Sequence, residues 1–405
     1  MGFFKKRTNQ TPITVELKLI PKKKWQREYL RRLFREATWL RNWTIDRLNS
    51  GWRFNWSKAN KIKKVRIKTE HGFEMRRLEV LASQMKQGIQ CEILQNLTAL
   101  SELKKRGHKI GRLKFQREHR MIALTPQMFK FPKTNRVRFA KLPRRKSIYV
   151  RGYDQIDYWK QLDPNAEFGD SKLLKRADGY FLHVTVWINK NAYSQLHNAQ
   201  FDSVGVDFGI RHAVTCSNGI QIDITGLEKP KRIRRLHRKV SRRKIGSSNR
   251  QKARVKLRRA YRKWVNKKRD VRNRIWSYFR KFKHVAFQDE LIRFWKLLFG
   301  KQIEQTTIGS IVGCLKQRHP GSMVVDKSMP TTKTCSNCGC IQHVDWGQTV
   351  FRCYDCGFNI DRDINAARNM LILVGLEQTE VTPVEYETSV RIFGPSPYIR
   401  ISLVR

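Results

Sequence analysis

Residues 335–370 read CSNCGCIQHVDWGQTVFRCYDCGFNIDRDINAARNM. Two Cys-x-x-Cys pairs, Cys335/Cys338 and Cys353/Cys356, stand fourteen residues apart, and a glycine follows each, Gly339 and Gly357. One such turn presents two thiolates from one side. Two turns facing each other complete a tetrahedral zinc site with Zn–S distances of ~2.3 Å. With four protein ligands the site is closed, so the expected zinc is structural. Cys340 is a spare thiol at poorer spacing. The knuckle runs directly into Asp361 and Asp363, which open an amphipathic helix. A metal-held module thus abuts an acidic helix start, in a chain that is otherwise strongly basic.

The 405 residues carry 85 Lys plus Arg against 33 Asp plus Glu, a formal charge of +52 and a pI near 10.6. A folded chain with that imbalance repels itself unless it meets a polyanion. Apolar residues make up 40%, enough for real cores and two or three domains, so the charge is not that of a disordered tail. No apolar run approaches the ~20 residues that span a bilayer. The first ten residues, MGFFKKRTNQ, lack the apolar core of a signal peptide. Nucleic acid is the expected partner, with no membrane. Cys91, Cys216 and Cys314 lie singly in apolar surroundings and read as inert core.

Upstream, Ile13, Val15, Leu17 and Leu19 alternate as a strand until Pro21. From Trp25 through Tyr29, Leu33, Ala37, Leu40, Thr44 and Leu48 the period becomes helical, ending at Ser50-Gly51. Ser83–Leu103 predicts a second helix, and a basic loop follows. Short alternating strands then run to Ile188, with a hairpin turn at Asp178-Gly179. This predicts a small barrel or curled sheet (1–22 and 121–200) carrying a helical insertion (23–120). Next comes SVGVDFGIRHAVTCSNGIQIDITG, residues 203–226, in which a strand ends at Asp207 and a meander follows, as at the start of an RNase H-like sheet. Residues 229–283, with Asp270 the only acid, keep an apolar helical stripe and read as a basic helical hairpin. Like charges at i,i+4 weaken a bare helix. A phosphate backbone beside Arg234, Arg235, Arg238, Arg242, Arg243, Arg254, Arg258 and Arg262 accounts for them better. Residues 284–290 predict a buried strand ending in Gln288-Asp289-Glu290, 303–316 a helix and 322–326 a strand.

Phosphodiester hydrolysis without a histidine base is typically run by two Mg²⁺ ions ~3.5–4 Å apart held on hard carboxylate oxygens. The candidate acids are Asp207, one acid of the 288–290 group, and Asp361 or Asp363. Spacing alone does not join them.

VGVDFGI (204–210), FQDELIRFW (287–295) and TKTCSNCG…CYDCGFNIDRDINAARN (332–369) together resemble the TnpB family, transposon-encoded RNA-guided nucleases related to compact type V CRISPR effectors. The likeness covers the C-terminal half in order, and TEVTPVE in the tail also looks family-like. The resemblance implies an α/β multidomain chain: a RuvC (RNase H-like) nuclease domain (201–330 and 359–378) with a zinc-ribbon insertion (331–358). A wedge β-barrel with a helical recognition insertion precedes it, and residues 379–405 form a tail. It further implies that Asp207 and Asp363 are the first and last catalytic acids, and that Asp361 caps the helix. The middle acid departs from the family's pattern, because Gln288 stands where a Glu belongs. Side chains alternate along a strand, so Glu290 shares the face of Gln288 and is the expected third Mg²⁺ ligand. Asp289 is the alternative if the strand frays. The implied function is RNA-guided cleavage of double-stranded DNA bearing a short flanking motif, with a guide RNA as partner. Two other readings are carried: a nuclease-inactive RNA-guided repressor, and a basic zinc-ribbon protein held structurally in an RNA assembly.

Overall fold

The computed structural model describes residues 8–52, 61–195, 199–289, 292–345, 347–377, 387 and 390–404. Chain contacts divide it into two compact units, 1–196 and 197–405.

In the first unit, the strand Gln10–Ile20 pairs antiparallel with Gly179–Asn189 on one side and Ile148–Arg151 on the other. It lies inside an eight-stranded sheet running from Met121–Leu124 to Phe129–Lys133. Its inward residues Val15, Leu17 and Leu19 are buried with Val184, Val186 and Ile188. The helices Lys24–Asn49 and Ser83–Lys105 lie between the first strand and the rest, close to the expected bounds. Leu30, Leu33, Ala37 and Leu40 on the first helix face Met85 and Ile89 in one core. The helical insertion also contains strands: Lys64–Thr69 and Gly72–Arg77 form a hairpin, signalled by the alternation of Val65 and Ile67 before Gly72. A further helix, Asp154–Leu162, is short and masked in sequence by the strands around it.

The second unit is built on a six-stranded mixed sheet. Phe201–Asp207, Val214–Cys216 and Ile220–Ile224 form the expected antiparallel meander. Phe282–Gln288 lies parallel to the first of these, and Ser322–Val325 parallel to it in turn. The basic segment forms the helices Lys231–Ser241 and Ser248–Phe279, Ser247 capping the second through Arg250 N–H. Two expectations need correcting. Residues 303–316 are not one helix: Ile292–Thr306 and Ile308–Arg318 are separated by Thr307, whose φ of 59° no continuous helix accommodates. The C-terminal residues are not only a tail, because Ile399–Leu403, alternating Ile-Arg-Ile-Ser-Leu, pairs with Ile220–Ile224 and covers the sheet edge. The family-like TEVTPVE lies outside the described residues.

The two sheet faces are covered differently. Val204, Val206, Val285 and Phe287 pack against Val271, Ile275 and Phe279 of the long basic helix and Ile311 and Leu315 of the helix after the break. The other face carries the helix Arg362–Leu373, where Met370 and Leu371 meet Ala286 and Val325. Helix and sheet touch closely at Gly205, where an added Cβ would stand 1.8 Å from the Ala367 carbonyl oxygen. Only glycine permits that approach. Gly205→Ala must push helix off sheet, and is expected to cost about 2–3 kcal/mol, lowering the Tm of this unit by about 5–10 °C in calorimetry.

Candidate nuclease and metal sites

The four knuckle sulfurs lie within 4.8 Å of one another, with Cys335 Sγ 3.7 Å from Cys356 Sγ and Cys338 Sγ 3.5 Å from Cys353 Sγ. A zinc tetrahedron with ~2.3 Å bonds has S–S edges of about 3.8 Å. The donor set fits zinc in chemistry and spacing. Gly339 and Gly357, with φ of 78° and 69°, take the left-handed positions that end each Cys-x-x-Cys turn. The Asn337 side-chain amide, then the Phe358 N–H, bring the Cys356 thiol down to about 6, so this sulfur is ready to ionise. Among the described residues, Cys335, Val344, Phe351 and Cys353 form the module's buried core, flanked by the hairpin of Val350–Arg352 and Asn359–Asp361. Burial raises the spare thiol Cys340, whose carbonyl instead accepts the Cys335 N–H at 2.8 Å.

Asp361 caps the helix, its Oδ1 accepting the N–H groups of Asp363 at 2.9 Å and Ile364 at 3.1 Å. Asp363 stands in the first turn, half-buried, with Arg362 hydrogen-bonded to its Oδ1 at 3.1–3.2 Å. Where Asp363 falls relative to Asp207 follows from the helix direction. The Glu377 carbonyl, just past the helix, accepts from Ser203 Oγ, whereas the Ala367 carbonyl sits over Gly205. The helix therefore runs antiparallel to the strand Phe201–Asp207. Four residues back along the helix, at 1.5 Å each, match two residues forward along the strand at ~3.3 Å each. Asp207 shares the face of Gly205 and Ser203. Asp207 and Asp363 thus come to the same end of the same sheet face. A cavity of about 200 Å³ beside that end is lined by Arg211, His212, Gln348, Asp361, Arg362 and Asp363. His212 Nδ1 is 2.7 Å from Asp223 Oδ1, and sequence reading missed both: each is an ordinary strand-edge residue.

At the middle position Glu290 lies outside the described residues. The parallel register, Val206 beside Phe287, continues one step to bring Asp207 level with Gln288. Gln288 is buried and fully engaged. Its amide donates to the carbonyls of Asp326 at 2.9 Å and Met329 at 2.8 Å, and its Oε1 accepts from Thr331 Oγ1 at 3.1 Å. This neutral side chain holds the loop leading into the knuckle. From Thr331 the polar network continues: Asn369 donates to the Thr331 and Thr334 carbonyls, and Asn365 donates to Thr334 while accepting the Ser336 N–H at 2.9 Å. Asn365 and Asn369 are nearly inaccessible to solvent. Knuckle, loop and acid-bearing helix are therefore pinned together by side-chain amides. Gln288→Glu removes both donors and sets an acceptor against two carbonyls. The expected result is a loss of about 2–3 kcal/mol in chemical denaturation rather than a gain of activity.

The alternative acid, Asp289, is placed elsewhere. The strand stays ordered through Gln288, the Asp289 N–H donates to the Val325 carbonyl, and its carboxylate pairs with Lys316 on the helix Ile308–Arg318. That is the face opposite Asp363.

Of the basic-hairpin arginines, Arg235, Arg238, Arg242 and Arg243 line, with Lys239, a surface cleft of about 470 Å³. Arg234 and Arg254 are exposed, and Arg258 and Arg262 half-buried.

Residues 317–370 match the family profile described as "Cas12f1-like, TNB domain", and residues 193–279 the one described as "Probable transposase". A "Putative RNA-guided DNA endonuclease" of Streptomyces pristinaespiralis is 30% identical over 181 residues, 42% of this chain and 44% of that protein. "TnpB-like protein L79" of Acanthamoeba polyphaga mimivirus is 51% identical over 47 residues, 12% of this chain and 9% of that protein. Over these segments of its C-terminal half the chain is similar to the TnpB family. The matched segments span less than half the length of those curated TnpB-related proteins. A solved structure titled "Structure of the mini-RNA-guided endonuclease CRISPR-Cas_phi3" aligns over 93% of this chain and 94% of its own, at 8% identity and a TM-score of 0.41. A likeness that distant carries no weight. No described helix is long and apolar enough to cross a membrane.

Proposed function

We propose that this chain is a TnpB-family RNA-guided DNA endonuclease with a RuvC-type site formed by Asp207, Glu290 and Asp363. The observation that supports the reading is the packing of the helix Arg362–Leu373 on the strand Phe201–Asp207, in a direction that carries Asp363 toward the strand end where Asp207 stands. The matched relative named as an RNA-guided DNA endonuclease supports the same class. Hard carboxylate oxygens suit Mg²⁺. When bound, two such ions supply an activated water and stabilisation of the leaving oxygen. The protein's part is to fix the carboxylates through a strand end and a capped helix turn, and to offer Arg211 and Arg362 to the phosphate. The first unit serves as the wedge barrel and recognition lobe, residues 331–358 as the target-binding ribbon, and 229–283 as a basic rail for the heteroduplex. The partners are a guide RNA and target duplex with a short flanking motif, in association with a transposon.

Gln288 at the family's Glu position motivates one other reading, a repressor that binds without cutting. Purifying the chain with its RNA, sequencing that RNA and offering a matching plasmid with Mg²⁺ separates the two. Guide-dependent linearisation is expected. Binding without cutting establishes the repressor, and guide-independent binding removes both.

A further inference from the structure

The hairpin Lys64–Thr69/Gly72–Arg77 lies outside both matched family profiles and has two unlike faces. On the inner one, Val65 is fully buried in the core of the first unit and Ile67 packs against it. Cross-strand partners share a face, so the register Lys64↔Arg77, Arg66↔Met75 and Lys68↔Phe73 puts those six side chains together on the outer face. All six are exposed, Phe73 at 59% and Met75 at 61%. Lys64 directly opposite Arg77 is a like-charge pair, which weakens a bare hairpin. The Arg66 guanidinium lies over the Phe73 ring, 4.1 Å from its centroid. Beside the hairpin is a cavity of about 760 Å³ whose cations are Lys61, Lys63, Lys64, Arg77, Lys86 and Lys141. Its acid, Glu79, is paired with Arg32 at 2.5 Å. Lys86 is 5% exposed, its ammonium donating to the Ile62 carbonyl at 2.6 Å.

We propose that this outer face is a stacking platform for unpaired bases of a single-stranded RNA, with the adjoining cation-lined cavity holding its phosphates. Three features select a single strand, and the RNA/DNA competition below tests the choice of RNA. The charge requires a polyanion. An exposed ring beneath a planar guanidinium suits a base with a free π-face, which a duplex hides. Phe73 and Met75 stand exposed among these cations, and duplex backbone, held by Lys and Arg on phosphates, has no use for them. That the RNA is the bound guide rests on the function proposed above; the stacking itself does not.

The probe is an oligouridylate of about 12 nucleotides, within the usual span of a single-strand site, carrying 4-thiouridine and irradiated on the full-length chain without Mg²⁺. Crosslinks are expected in the peptide bearing Phe73 and Met75. Phe73→Ala should reduce their yield and weaken binding at this site about tenfold, as loss of one stacked base does. Phe73→Tyr should restore both. Circular dichroism melting should be unchanged, since the ring is exposed. Crosslinks confined to other regions, equal yield from Phe73→Ala, or better competition by duplex DNA or oligothymidylate than by oligouridylate would each overturn the proposal. Absence of the crosslink in the unaltered chain, with guided cutting intact, sinks the platform alone. An intact crosslink with no cutting sinks the nuclease alone.

Discussion

Asp207→Asn and Asp363→Asn each lower single-turnover cleavage of guide-matched DNA by roughly a thousandfold, the several kcal/mol a catalytic metal contributes to the transition state. Neither change removes RNA or target binding. Both residues are solvent-side ends of ordered elements, Asp363 in a helix already capped by Asp361, so an isosteric amide leaves the fold standing. The same assay assigns the third ligand. Glu290→Gln is expected to match the loss at Asp207. Asp289→Asn should leave the rate within a few-fold, because Asp289 pairs with Lys316 on the opposite face. A large loss at Asp289 with none at Glu290 would mean that the strand register at Gln288 has been misread.

The second large effect is on the knuckle. Four buried residues do not make a self-sufficient core, and small metal modules fold by the free energy of metal binding, about 10–16 kcal/mol for zinc-finger peptides. Cys335→Ser, or zinc removal by a strong chelator, is expected to unfold residues 335–358 and open them to protease. The consequence travels further, because the Ser336 N–H and Thr334 carbonyl are the partners of Asn365 and Asn369 on the acid-bearing helix. Guided cleavage should fall with zinc content and return when zinc is restored. Elemental analysis giving one zinc per chain, lost in parallel with protease resistance, checks this. Full resistance in zinc-free protein would contradict it.

Much of this site was legible in the residues because its parts are local. The Cys-x-x-Cys pairs with their glycines, the acidic helix start at Asp361 and the strand ending at Asp207 each carry their own pattern. What joined Asp207 to Asp363 was resemblance; the physical join is a helix packed on Gly205, and nothing in a glycine's neighbours announces a carbonyl 1.8 Å from its missing Cβ. Gln288 read as a defect in a ligand set. Its actual role depends on three partners 38 to 43 residues away, Asp326, Met329 and Thr331, and long-range amide bonds leave no periodicity. The hairpin at 64–77 was hidden for a different reason. Its outer face is charged and apolar at once, so alternation shows on one strand only.

The central claim is that Asp207 and Asp363 share a metal pair, and the most direct measurement is anomalous scattering from Mn²⁺ in crystals of the RNA-bound protein. The account predicts two Mn²⁺ peaks ~3.5–4 Å apart, contacted by the carboxylates of Asp207 and Asp363. Mn²⁺ bound elsewhere, or those carboxylates more than ~10 Å apart, would contradict it, since no two-metal site spans that gap.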